Sequence, residues 1–291
     1  MGNAVLLLND QSRVGTLTSA GTAASVETGG LSVQNLLTQD PTEVARFTGM
    51  GAAGAYARLK WDLGALKAVT CLAIVNHNAT TAATYQVGMS NNVDLSSPVL
   101  TPTPAKFWLP TVPWGSLPWG AFPWDGVDKT AYPTMPITFL LFDTPVFGRY
   151  LWVDIADPTN PAGYWQAGRV MFGAANRPAV NFAYGNSIRI IDPSQDRTTR
   201  ASARQVDVRP RYRELTLPMQ FQTQGDAMGV YHDFMMRGIG QEVFVVMDPD
   251  APPWVLARQM FYCALSSMPG DGVANTSFKR WTWSPTFREL I

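Results

Sequence analysis

Between residues 55 and 173 no stretch of this chain carries a helical period. Short β-type runs recur instead, at 56–62, 69–76, 83–90, 137–143, 150–155 and 169–172, each bounded by turn residues. Runs of this kind following one another without intervening helices predict an antiparallel sandwich or jelly roll. The 22 Pro and 24 Gly supply the punctuation. A length of 291 residues allows two ordinary domains and a core that needs no covalent staples.

Composition narrows the function classes. With 46% hydrophobic and 15% charged residues, the chain is too apolar to be disordered. The charge deficit points either to a surface covered by neighbouring subunits or to a large β core. The 22 basic and 22 acidic residues cancel, and the basic ones form no continuous arm, which argues against a nucleic-acid binder. The local run Arg189, Arg197, Arg200, Arg204, Arg209, Arg211 and Arg213 is interleaved with Asp192, Asp196, Asp207 and Glu214, the pattern of a solvated or subunit-facing strand pair. Cys71 and Cys263 each sit in an apolar run, so buried free thiols are the favoured reading, with one disulfide left open. The apolar run 4–8 follows no basic segment and is too short for a signal sequence or a membrane span, so assembly in the cytoplasm is expected.

Residues 1–36, rich in Gly, Ser and Thr, read as an extended N-terminal arm with too little apolar surface to order alone, ordered by packing on another part of the assembly or on the second domain. Residues 37–175 form the first domain. Within it, an insertion at about 95–136 carries Pro at 98, 102, 104, 110, 113, 118, 123, 133 and 136, which excludes a helix or a central strand. Pro113-Trp114, Pro118-Trp119 and Pro123-Trp124 repeat every five residues inside it. Three indoles on a stiffened loop form either a contact surface or a plug packed back on the sandwich. Contact is preferred, because buried aromatics are the usual anchors of interfaces.

A second domain, 176–291, begins after the breaker Asn176-Arg177-Pro178. Leu215, Leu217, Met219 and Phe221 alternate with polar residues and Pro218, which gives an edge or bulged strand. Met228, Tyr231, Phe234 and Met235 then recur at helical spacing, predicting one amphipathic helix at about 225–237 stopped by Gly238. Runs at 242–247, 258–265 and 277–283 complete a sheet with a single helix laid on it.

Signals for catalysis are sparse. His77 ends a strand and His232 lies on the polar side of the helix, and each reads as an ordinary surface or capping histidine. The sequence contains no His-Glu-x-x-His, no Cys-x-x-Cys and no Gly-x-Ser-x-Gly. The Gly-rich run 49–54 precedes a strand instead of opening a helix, so it is not a dinucleotide fingerprint. Asp154, Asp157, Asp248 and Asp250 lie at strand ends, where acidic turn residues are ordinary. The expectation is a chain without catalytic residues, cofactor or metal, whose candidate interaction residues are Trp114, Trp119 and Trp124.

Two resemblances add to this reading. Tyr56-Ala57-Arg58-Leu59-Lys60-Trp61-Asp62-Leu63-Gly64, with Leu66-Lys67-Ala68-Val69-Thr70, resembles the strand, turn and return strand of discoidin-like, galactose-binding-type jelly rolls. Gly148-Arg149-Tyr150-Leu151-Trp152-Val153-Asp154-Ile155 and Gly168-Arg169-Val170-Met171-Phe172-Gly173 are similar to that family's closing strands. Ligands in that family are contacted by variable loops with no transferable motif. The stretch 213–221, the helix at 225–237, the run 242–248 and the C-terminal Trp281-Thr282-Trp283-Ser284-Pro285-Thr286-Phe287-Arg288-Glu289-Leu290 resemble tail-tube-derived proteins of long-tailed bacteriophages, a β-sandwich with a flanking helix.

The combination is similar to distal tail and baseplate subunits. It implies a non-enzymatic structural subunit of the virion tail that closes a ring, a hexamer in preference to a trimer, and contacts tube, hub or fibre proteins. The alternatives are a receptor- or carbohydrate-binding module holding a host-surface glycan, and a glycan-degrading enzyme with an appended binding module. The enzyme is disfavoured because no convincing acid pair is present.

Overall fold

Two strands of 20 residues each, Tyr56–Val75 and Ile137–Ala156, run antiparallel along almost their full length and frame the first half of the molecule. The computed structural model describes residues 2–22, 24–52, 54–118, 120–198, 204–267 and 272–291. The chain divides into two compact units, Met1–Asn176 with Phe244–Met260, and Arg177–Val243 with Phe261–Ile291. The protein is mainly β, with antiparallel sheets.

The sequence pattern reads four strands where the first unit has these two. Register shifts at Asp62/Lys67 and Val69/Cys71 explain the difference. A bulge lets a strand bend without ending its ladder, so polar residues at the bend look like a turn. Gly173–Arg169 and Thr16–Thr22 flank opposite halves of Tyr56–Val75, and Thr84–Ser90 pairs with Ile137–Ala156 on its other side. Alternation sorts the faces. Ala57, Leu59, Trp61 and Leu63 point inward and are buried, while Tyr56, Arg58, Lys60 and Asp62 point outward. The small sheet Ser25–Val26, Ala45–Thr48 and Tyr164–Ala167 supplies Phe47 and Trp165. Phe107 packs against Trp165 and against Tyr85 of the larger sheet, which joins the two layers.

The arm expected over 1–36 is ordered within the chain, in part by residues that the sequence pattern assigns to the second domain. Val5–Leu7 is a strand paired with residues 244–246, and Ala4, Val5, Leu6 and Leu7 have no exposed surface. Thr16–Thr22 completes the larger sheet. The Gly, Ser and Thr content of the arm leaves it too little apolar surface to order alone. Partners 237 to 241 residues away in sequence supply that surface. The same pairing gives Phe244–Met260 to the first unit, so the second is not the continuous stretch 176–291.

In the second unit, residues 261–267 of the strand Met260–Ser267, then Thr286–Glu289, Tyr212–Thr216 and Ser187–Ile191 pair in that order. Met219–Gln222, Arg280–Trp283 and Val273–Ser277 form a three-stranded sheet. The helix expected at 225–237 is present but begins as a π-helix, Asp226–Tyr231, and continues as α-helix, His232–Met236. Widening to i→i+5 bonds changes which residues face inward. Ala227, Tyr231 and Phe234 are buried, whereas Met228 is 37% exposed and is not part of the apolar face. Tyr231 stacks on Trp283 at 4.4 Å between centroids, with Phe234 edge-on to the same indole.

A further helix, Pro253–Gln259, takes in residues 258 and 259, which the sequence pattern assigns to a strand. Pro253 at its start fits a position whose N–H needs no partner. No helix among the described residues is long and apolar enough to cross a membrane.

The remaining sequence expectations concern charge and sulfur. Arg204 pairs with Asp196, Arg209 with Asp207 and Arg211 with Asp192 at exposed sites, and Arg189 pairs with the half-buried Glu214. Arg213 is buried against Glu289, with Nη2 donating to Oε1 at 2.5 Å. Arg200 lies outside the described residues. Cys71 and Cys263 are buried free thiols, and burial pushes the Cys71 thiol up to about 12.

Candidate functional site: an aromatic loop on a buried stem

The insertion separates into a stem and a tip. In the stem, Thr111 Oγ1 accepts from the Asp128 amide at 2.7 Å and donates back to the Asp128 carbonyl, and Val112 N–H donates to the Gly126 carbonyl. Phe107, Trp108 and Tyr132 are buried below this clasp. Trp108 Nε1 donates to the Ala79 carbonyl at 2.9 Å, and its ring meets Tyr132 edge-on at 5.1 Å.

Above the clasp, the five-residue repeat has a conformational cause. The carbonyl of each repeated proline accepts from the N–H three residues on: Pro113 from Ser116, Pro118 from Ala121 and Pro123 from Gly126. Each proline therefore opens a β-turn, with Trp114 and Trp124 at the second position of the first and third. Gly115 and Gly120 occupy the third position with φ of 79° and 91°, which an L side chain rarely adopts. Three consecutive turns give the tip a set shape without a sheet of its own.

Trp114 is 74% exposed and Trp124 81% exposed. Phe122 meets Trp114 edge-on at 4.9 Å, and Leu117, itself 43% exposed, lines the same shallow apolar cleft with Gly115, Gly120 and Trp124. Trp119 lies outside the described residues. The aromatics of the insertion thus divide: stem rings fill the core, and the described tip indoles stand in solvent. The sequence pattern singled out the indoles but missed Leu117 and Phe122. The signal for the turns was present in the Gly that follows the first two Pro-Trp pairs.

His77 is not the surface residue that its place at a strand end suggests. It is buried, with Phe107 at 5.0 Å and Trp108 at 5.2 Å, and Nε2 lies 2.9 Å from Thr138 Oγ1. Thr138 commits its one proton to the Phe107 carbonyl at 2.8 Å, so His77 Nε2–H must be the donor to Thr138. Nδ1 then carries a bare lone pair with no hydrogen-bond partner among the described residues. Burial, with a smaller contribution from the charge on Lys129, lowers its pKa to about 3.

Three of the acidic strand-end residues, Asp154, Asp157 and Asp248, are occupied by hydrogen bonds. Asp157 accepts from the Thr80 N–H and hydroxyl and from Asn160 Nδ2. Asp154 is held by Arg58, and Asp248 accepts from the Gly2 and Asp250 amides. Among the described residues no group of three or more His, Cys, Asp or Glu is placed to hold a metal.

No family model matches the chain, and no curated protein matches it. Solved structures similar to it include the family 32 carbohydrate-binding module from C. perfringens NanJ in complex with galactose, at 14% identity over 58% of this chain and 98% of that one, with a TM-score of 0.36. Another is chitosan-binding module 1 from a chitosanase/glucanase of Paenibacillus sp. IK-5, at 15% identity, 57% and 99% coverage and a TM-score of 0.36. A third is the lectin domain of lectinolysin complexed with Lewis B antigen, at 12% identity, 56% and 95% coverage and a TM-score of 0.35. These neighbours are galactose-binding-type jelly-roll modules, and none of the three is a tail protein. At such identities and TM-scores, they carry no conclusion about ligand or role.

Proposed function

We propose that this protein is a non-catalytic recognition subunit whose first unit meets a saccharide surface through Trp114 and Trp124. The observation that carries this reading is the exposure of both indoles on a loop whose stem is fastened into the core. Large apolar surface left wet in this way marks a binding site more often than a structural accident. An indole offers a flat apolar face with a polar edge, which suits the C–H face of a pyranose ring.

The test is retention of the full chain on an immobilised glycan panel, beside the Trp114→Ala/Trp124→Ala double variant. Retention by the wild type that is lost in the variant, with an unchanged melting temperature, supports the reading. Equal retention by both proteins overturns it.

A second reading, the ring-forming subunit of a bacteriophage tail tip or baseplate, draws on the second unit. The ribbon Gln195–Thr198 paired with Arg204–Asp207 is exposed at every residue, and a two-stranded ribbon alone is marginally stable in water. Ser187–Ile191 is an open sheet edge, with Ile190 73% exposed and Val208 beyond the ribbon 79% exposed. Open edges recruit other strands. In this reading the chain self-associates by heterologous contacts, as a hexamer in preference to a trimer, and meets tube, hub or fibre proteins in the virion tail. Light scattering that shows a ring of the wild type and a monomer of Ile190→Lys supports it. A stable wild-type monomer at high concentration removes it.

A further inference from the structure

The outward face of the larger sheet in the first unit carries a second, different cleft. Arg58, Asp154 and Gln86 stand side by side on three adjacent strands, in register as Arg58↔Asp154 and Asp154↔Gln86. One row along, Ala156 pairs with Thr84 and lies next to Tyr56. The small Ala156 side chain between Tyr56 and Thr84 leaves a hollow, rimmed by Gly54, of about 300 Å³. That is the lower end of the range for small-molecule sites.

The chemistry of the hollow is specific. Arg58 donates from Nε and Nη2 to the two oxygens of Asp154, at 2.6 and 2.7 Å. The pair is closed and net neutral, which makes the site a poor match for an anion or a cation. It still offers the guanidinium Nη1 as a donor and a second lone pair on each carboxylate oxygen. The Gln86 amide and the Thr84 hydroxyl are half-buried and take part in no hydrogen bond among the described residues. Donors and acceptors therefore alternate across one sheet face, beside the Tyr56 ring. Vicinal hydroxyls, each both donor and acceptor, match that alternation, and an apolar ligand does not.

We propose that the cleft formed by Tyr56, Arg58, Thr84, Gln86 and Asp154 binds a neutral sugar ring, separately from the aromatic loop. Gln86 and Thr84 pair with ring hydroxyls, the Arg58–Asp154 pair accepts and donates to a neighbouring diol, and Tyr56 forms a side wall. Two sites of this kind on one unit would let a single chain hold a glycan at an internal ring and along its surface. The site does not depend on the saccharide reading of Trp114 and Trp124.

The test is a titration of the full, isotope-labelled chain with methyl β-D-galactopyranoside and methyl α-D-mannopyranoside. Backbone amides at 54–58 and 154–156, the Gln86 side-chain amide and the indole Nε1–H resonances are followed together. One of these neutral glycosides is expected to shift the cleft resonances at millimolar concentration. The Thr84→Val/Gln86→Ala variant is expected to weaken that response about tenfold, as the loss of two neutral hydrogen bonds implies.

Shifts confined to the indoles would leave the loop reading standing and overturn this one, as would the absence of any cleft response to both glycosides. An unweakened response in a folded Thr84→Val/Gln86→Ala variant would also overturn it. N-acetylneuraminate serves as the anionic probe. A tighter response to it than to both neutral glycosides would refute the neutral-ligand class.

Discussion

Arg169 is fully buried and pairs with Asp10, 159 residues earlier in the chain. Its Nη1 also donates to the Leu36 carbonyl at 2.6 Å and to Ser12 Oγ at 3.0 Å, and Asp10 accepts from the Phe172 amide at 3.2 Å. One guanidinium thus ties two separate points of the N-terminal segment to the closing strand Arg169–Gly173. Segments that looked weakly apolar in sequence are held by a desolvated charge pair whose remaining polar atoms are satisfied.

Removing one member of that pair strands the other. Arg169→Met leaves the Asp10 carboxylate buried without its counter-ion, and the expected cost is about 3–5 kcal/mol in denaturant unfolding. Adding Asp10→Leu should recover part of the loss, since a buried pair replaced by apolar groups is often close to neutral. A loss below about 1 kcal/mol for the single variant would show that the pair is not desolvated in solution.

His77 predicts a pH dependence. Its folded pKa of about 3 lies below the ordinary 6.5, so between those values the unfolded chain binds a proton that the folded chain refuses. The His77 contribution to stability is complete above pH 6.5 and falls as pH drops through this window, by up to about 1.4 kcal/mol per unit. Unfolding free energies measured at pH 6.5 and pH 5, above the range where most carboxylates titrate, should differ in the wild type. In His77→Gln the difference should shrink, and equal slopes in both proteins would reject the assignment.

The two classes of tryptophan in the insertion should behave oppositely. Trp108→Ala removes a buried ring and its bond to the Ala79 carbonyl, with an expected cost of about 3–5 kcal/mol. Trp114→Ala alters a ring 74% in solvent, and the melting temperature should move little. Thermal unfolding of the two variants side by side decides this, and similar losses would mean that the tip packs in solution.

Gly168 leaves no room for a side chain, because a Cβ there would stand 1.9 Å from the Pro41 carbonyl oxygen. The obstacle is backbone and cannot rotate away. Gly168→Ala should destabilise by about 1–3 kcal/mol, the usual cost of overpacking, measured by urea titration. A neutral result would place the 40–42 segment elsewhere.

Much of the architecture was legible from local pattern. Period-2 alternation in Tyr56-Ala57-Arg58-Leu59-Lys60-Trp61 announces both a strand and its buried face, since adjacent side chains must point to opposite sides. Gly238, with φ of 84°, ends the helix at the residue the sequence pattern names. The Pro-Trp repeat likewise marks a stiff irregular loop, because proline cannot continue a ladder or a helix.

What the sequence by itself determined was therefore local: strand-rich antiparallel structure, an aromatic insertion, one main helix, buried thiols and a balanced charge. Tertiary structure alone decided the rest, because it depends on partners far apart in the chain. Val5–Leu7 becomes core only when strand 244–246 lies beside it. His77 becomes a neutral buried imidazole only under Phe107 and Trp108. Arg58, Gln86 and Asp154, spread over 97 residues of sequence, become one polar hollow only when three strands fall into register. No local period encodes such a meeting, since register is set by the summed fit of both sheet faces.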